Sequence, residues 1–384
     1  MLNLSPEQNA LFSILRNEKV NNATFVDWDE VRKEALAQAV FLLLAKSECL
    51  PTEIAKSWRT AFHAAMRDNI EAFYAITEMD RVMRSAGEKY IILKGLAASS
   101  YYPNPMLRAL GDVDFLIDPE HRTIVDKAFV DDGYERDSEE IGYHTGFYKD
   151  QQILEMHITV PGMPKNELSG YIKAYFNYLL DEPILYYENG AELKLPQSKY
   201  HGVILILHTL HHMLSSGFGL RHLMDWGYFV QKTEKEEFWR EELLPILEKV
   251  GLLHFAQVLT KTSAIYLHTA SPDWIGIVDE VLCDSLMKDI LTGGNFGRKE
   301  QGRLEHSKYI LNRSQGGVGG RNGFTQAIDA VFVKSKKEGR SVAAILFEYA
   351  GKIVRGERKL DSAEVVRDAI ERKKIYEQLH LFEV

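Results

Sequence analysis

Cysteine is nearly missing. The 384-residue chain holds two, Cys49 and Cys283, far apart and in no CxxC or other ligand-like spacing. That argues against a disulfide framework and against a thiolate zinc site, and it fits a reducing compartment. Long apolar runs are also missing: the most apolar window, GVILILHTL at 202–210, is too short to span a bilayer. Positive charge is in deficit, with 46 Lys and Arg against 55 Asp and Glu for a formal charge of −9. A general DNA or RNA binder carries the opposite footprint. The N-terminal stretch MLNLSPEQNALFSILRNEKV lacks a basic start followed by an apolar core, so no signal peptide is expected. No repeat of fixed period runs through the chain. The expectation is a soluble, cytoplasmic protein without membrane association.

What is present falls into three textures. Residues 1–88 read as a helical region. Ser5 is placed to cap a helix whose first residue is Pro6, and apolar residues recur at helical spacing through WDEVRKEALAQAVFLLLAKS and through residues 58–87, with Gly87 as the stop. Residues 89–196 read as an α/β core. KYIILKG and GDVDFLI are strands, LAASSYY a short helix, and PEHRTIVDKAFVDDGY a helix ending at Gly133. HTGFYKD and QQILEMHITV pair, NELSGYIKAYFNYLL is helical, and PILYYENGAELKLP is a hairpin, because Asn189-Gly190 suits a two-residue type I′ turn. Residues 197–384 read as a second helical domain, interrupted by a glycine-rich, basic loop at 292–323. The fold class expected is α+β, a mixed-sheet core flanked by N-terminal and C-terminal helical regions.

The chemistry starts from LKGLAASSYYPNPMLRALGDVDFLI. Asp112 and Asp114 open an apolar strand, and the period of two points both carboxylates the same way. Like charges side by side and partly buried repel, so something positive must compensate, a divalent cation being the usual candidate. The strand QQILEMHITV puts Leu154, Met156 and Ile158 on one face and Ile153, Glu155, His157 and Thr159 on the other. If the two strands are neighbours, Glu155 completes a three-carboxylate cluster of the kind that holds a pair of Mg²⁺ ions roughly 3.5–4 Å apart.

These residues resemble the uncharacterised nucleotidyltransferase family of the DNA polymerase β-like superfamily. The resemblance is most specific over 93–157 and extends to WDEVRKEALAQAV, to LHTLHHMLSSGFGLRHLMDW and to GGNFGR. It implies a nucleotidyltransferase core that moves a nucleoside monophosphate from an NTP to an acceptor and releases pyrophosphate. The acceptor, whether small molecule, protein or RNA, is not given by the resemblance. It implies metal ligation and catalysis by Asp112, Asp114 and Glu155, with two Mg²⁺ ions, or Mn²⁺ in their place. Lys94-Gly95 stands at the phosphate-binding turn, where many relatives carry Gly-Ser. Arg108 is expected to neutralise the pyrophosphate, and His157 is either substrate-facing or a satisfied core histidine. The alternatives kept open are a catalytically silent nucleotide-binding scaffold or toxin–antitoxin-type partner, and another phosphoryl transfer on the same acids.

Three other features carry weaker signals. His208 and His212 share a helix face at i, i+4, but the glutamate of a metalloprotease HExxH is missing between them. Arg221 and Asp225, also i, i+4, read as an ion pair in a region that the resemblance sets against the catalytic unit. The loop GGVGGRNG lacks a Walker lysine, although residues 298–340 carry ten Lys and Arg against four Asp and Glu. Such a segment either attracts a polyanion such as RNA or is simply solvated.

Overall fold

The computed structural model describes residues 2–137, 144–150, 152–164, 166–188, 191–215, 217–233, 235–299, 372 and 374–383. The Asn189-Gly190 turn, the GGVGGRNG loop and most of the basic stretch 298–340 lie outside these residues.

Helices come first. α1 (Pro6–Leu15) starts as its sequence dictates: the Ser5 hydroxyl accepts from the Gln8 N–H, and the Gln8 side chain reciprocates to the Ser5 N–H. The continuous apolar pattern after Trp28 is broken in two. α2 (Trp28–Ala37) and α3 (Phe41–Lys46) are separated by Ala39, which takes a left-handed φ of 56°. The break frees Gln38, a fully buried residue. Its amide donates to the Ile290 carbonyl at 3.1 Å and accepts from the Leu220 N–H at 2.9 Å. A long α4 (Thr52–Ala86) follows and stops at left-handed Gly87.

The α/β section holds β1 (Ile91–Ile92), α5 (Leu96–Ser99), β2 (Val113–Leu116), α6 (Arg122–Asp131), β3 (Glu135–Arg136), β4 (His144–Lys149), β5 (Gln152–His157), α7 (Leu168–Tyr175) and the hairpin strands β6 (Ile184–Glu188) and β7 (Ala191–Leu195). The main sheet has the order β1-β2-β5-β4-β3. β2 and β5 run parallel and the other pairs antiparallel, so the sheet is mixed. The helices that follow are α8 (Ser198–Leu214), α9 (Leu220–Lys232), α10 (Glu236–Phe238) leading through a π-helical turn into α11 (Leu244–Lys249), then α12 (Leu253–Leu267) and α13 (Glu280–Gly293). No helix among the described residues is long and apolar enough to cross a membrane.

The period of two divides the sheet between two apolar cores. Ile92, Val113, Phe115, Leu154 and Met156 point to one side, where they meet Phe73, Ile76 and Met79 of α4 and Val125 and Phe129 of α6. Ile91, Leu93 and Leu116 point to the other and join the large core of the helical body, with Trp226, Phe229 and Phe255. α4 takes part in both: Trp58 sits in the helical core and Phe73–Met83 on the sheet. The acidic positions of β2 and β5 therefore face the helical body, not α4.

Two local devices bring that body onto the sheet. Gly162, after β5, has φ +85°, and a Cβ there would lie 2.2 Å from the Leu207 carbonyl of α8. Only glycine permits this approach of loop to helix. The second device is Asn69, a buried amide on the apolar face of α4. It donates to the carbonyls of Met106 and Arg108 and accepts from the Leu110 N–H, each at 2.8 Å. One side chain thus pins the loop that leads into β2. Asn69→Leu keeps the volume but leaves three backbone groups unpaired, and is expected to cost about 2 kcal/mol in urea unfolding.

Candidate active site

β2 and β5 are neighbours in register, with Asp114 opposite Glu155 and Leu116 opposite His157. One ligand atom from each of Asp114, Glu155 and His157 lies within 4.8 Å of the others. Asp112 stands one residue ahead of β2, exposed at the rim and outside that tight group. It still feels the cluster: crowding of its carboxyl by the surrounding protein, which strips part of its water, then the charges of Glu155 and Asp114, push its pKa up, against Lys94 and Arg221.

Asp114 is the centre of the arrangement. Burial alone would favour its neutral form, but the Lys94 ammonium and the His157 imidazole hold its pKa well below the ordinary carboxylate range. Lys94 Nζ lies 2.5 Å from Oδ1, and His157 Nε2 donates to the same oxygen at 2.8 Å. His157 also reaches Glu155 Oε2 at 3.6 Å. Burial works to lower the His157 pKa, and the bonds to Asp114 and Glu155 outweigh it and raise it. The positive partner that two adjacent acids require is therefore supplied, within the chain, by Lys94 and His157.

Lys94 reaches Asp114 because the turn after β1 is sharp. Gly95 adopts φ 52° and ψ −101°, a conformation that side chains oppose, and α5 begins at once behind it. Lys94, Gly95, Asp112 and Asp114, with Ile92 and Leu110, line a small recess that opens to solvent. From the helical body, His211 of α8 is near enough for the charges of Lys94, His157 and Glu155 to act on it, although burial is the larger influence and lowers its pKa.

Arg108 requires a correction. Its guanidinium is 3% exposed and tied down: Nε and Nη2 donate to the two oxygens of Asp225 at 2.7 Å each, and Nη1 donates to the Ala109 carbonyl. Three of its five N–H donors are bound and the group is buried, which holds the guanidinium to Asp225 and away from a pyrophosphate. The same geometry corrects the pairing of Arg221 with Asp225. Asp225 on α9 takes Arg108 and the Tyr102 hydroxyl, which tie the loop before β2 to the helical body.

Arg221 is the cation that sequence spacing misassigned. It donates from Nη1 to the Ala109 carbonyl, and its buried Nε makes no bond to any described group. It forms no ion pair among the described residues, its charge reaches Asp112, and burial followed by repulsion from Arg108 pulls its pKa down to about 10. The signal for it in the sequence was only its position one turn ahead of Asp225.

A family model described as an uncharacterised nucleotidyltransferase matches residues 25–268. Among curated proteins none matches. Among solved structures, the chain is similar to the crystal structure of an antigenic nucleotidyltransferase-like protein from Paracoccidioides brasiliensis. That similarity has 16% identity and a TM-score of 0.32, over 52% of this chain and 94% of the other.

Proposed function

Because the chain belongs to this uncharacterised nucleotidyltransferase family, whose model matches well over half of it, we propose that it transfers a nucleoside monophosphate from an NTP to an acceptor hydroxyl or phosphate. The observation that carries the reading is the register of two parallel strands that sets Glu155 beside Asp114, which itself lines a recess with Lys94, Gly95 and Asp112.

The donor chemistry fits Mg²⁺. Asp112, Asp114 and Glu155 offer hard carboxylate oxygens, and the bonds from Lys94 and His157 both fall on Asp114 Oδ1, leaving Oδ2 outside them. When bound there, Mg²⁺ supplies charge neutralisation to the triphosphate and to the departing pyrophosphate. The chain's own groups do the rest. His157 is a positioning residue that fixes the Asp114 carboxylate. Lys94 is a mobile point charge that leaves Asp114 for a phosphate oxygen as the triphosphate arrives. Arg221, in place of Arg108, adds a second positive charge whose field reaches Asp112. In the reaction the acceptor oxygen bonds to the α-phosphorus, the bond from that phosphorus to the oxygen bridging it to the β-phosphate breaks, and Glu155 accepts the acceptor's proton.

This reading makes an unusual prediction for Lys94→Ala, with opposite signs for two ligands. Removing the ammonium frees Asp114 for a cation, so Mn²⁺ alone binds more tightly than to the wild type. Binding of α,β-methylene-ATP with Mg²⁺ weakens by about tenfold, the loss of one charge-assisted contact. Titration calorimetry of both ligands checks it. A merely structural Lys94 weakens both, and that pattern counts against the proposal.

A further inference from the structure

Behind the recess lies a second constellation. His208 and His212 of α8 are joined by His222 from the first turn of α9, and one ring nitrogen from each lies within 4.8 Å of the others. The ring centroids form a near-equilateral triangle of 4.4, 5.2 and 5.1 Å. His222 is 1% exposed, and neither of its ring nitrogens bonds to any described group. His212 Nδ1 is likewise unpaired, while Nε2 of His212 and Nε2 of His208 face each other at 2.7 Å. Burying an imidazole with both nitrogens unsatisfied is costly, and such groups in native proteins have a reason.

We propose that His208, His212 and His222 form a binding site for a first-row transition-metal ion such as Zn²⁺, separate from the carboxylates of Asp114 and Glu155. Ligation uses the neutral imidazole of each ring. Nitrogen donors without carboxylate suit zinc, copper, nickel and iron and disfavour Mg²⁺, so the two sites sort metals by chemistry. Three histidines with no fourth protein ligand in the group among the described residues match the composition of a reactive zinc site, whereas structural sites close all four positions with protein ligands. Three neutral ligands leave the full charge of the ion in place, and Arg221, next to His222 in sequence, adds to the positive field on that ring. A water or small anion would complete the coordination. Phe296, with a left-handed φ of 57°, packs at 4.6 Å from the His212 ring and 5.6 Å from that of His222. Beside it the buried Asn295 amide also lacks a described partner.

The test is titration of chelator-stripped full-length protein with Co²⁺, followed by visible d–d absorption. With excess Mg²⁺ present to compete for the carboxylates, the wild type is expected to bind one equivalent of Co²⁺ with a spectrum of nitrogen-ligated, low-coordinate cobalt that Zn²⁺ displaces. His222→Gln weakens this binding at least about 100-fold, and His212→Gln does the same. Asp114→Asn leaves it unchanged, which separates the site from the carboxylate cluster and makes its failure independent of the nucleotidyltransferase reading. Should the histidine variants not fold, the wild-type and Asp114→Asn titrations decide alone. No cobalt spectrum in folded wild-type protein, a spectrum that survives His222→Gln in folded protein, or one abolished by Asp114→Asn overturns the proposal.

Discussion

Asp114→Asn is expected to lower the rate of nucleotidyl transfer by about 10³-fold or more while leaving the fold intact, a loss of about 4 kcal/mol of transition-state stabilisation. The size follows from its position. Asp114 is the buried centre on which Lys94 and His157 converge, and it faces Glu155 across the parallel pair. The amide keeps the shape but removes the charge that recruits a cation. It still accepts one hydrogen bond from His157, but it removes the charge that pairs with Lys94, so some stability is lost while the fold persists. Asp112 is at the rim and exposed, and Asp112→Asn should be milder, by an order of magnitude or more. Single-turnover measurements on the two variants check the order, and equal losses would speak against a central role for Asp114.

Asp225→Ala is expected to be the most destabilising single substitution in the vicinity of the site, at about 3–5 kcal/mol. Arg108 and Asp225 are 3% and 2% exposed and form a two-bond pair, and the Tyr102 hydroxyl adds a third bond. Removing the acid strands a buried guanidinium near a second one, Arg221, whose pKa already responds to Arg108. The cost lies mainly in the uncompensated charge, not in the lost contacts. The double variant Arg108→Met with Asp225→Leu should therefore recover much of the stability that Asp225→Ala loses. Urea unfolding of the wild type, the single variant and the double variant measures this directly. A double variant no more stable than Asp225→Ala would show that shape, not charge, holds the loop.

The contrast between these two aspartates marks what was legible in the sequence. Asp114 and Glu155 each interrupt an alternating apolar strand at a position whose neighbours two residues away face the same side, and a local pattern of that kind is readable without knowing the topology. The parallel pairing that brings them together is not readable, because it joins strands separated by α6, β3 and β4. Arg108 was assigned by nearness in sequence to Asp112, yet its partner lies 117 residues away. Arg221 was assigned by helical spacing to Asp225, and a partner from outside the helix took that acid. Asn69 carried a signal that went unused: an amide in helical phase with Phe73, Ile76 and Asp80, on a face that is otherwise core. The break at Ala39 had no such marker, since nothing in AQAVF forbids a helix. It is imposed by what Gln38 must reach, the carbonyl of Ile290 and the N–H of Leu220. The third histidine was hidden for the same reason, since the angle between α8 and α9 decides whether His222 meets His208 and His212.

The most direct measurement uses two labels. Purified protein, Mg²⁺ and cell extract are incubated in parallel with each NTP labelled at the α- or at the γ-phosphorus, with the Asp114→Asn protein as the control. The account predicts that an acceptor retains the α label only, that the γ label leaves as pyrophosphate, and that neither happens with Asp114→Asn. Retention of the γ label on the acceptor, or no transfer from any of the four NTPs by wild-type protein that binds them, would contradict it.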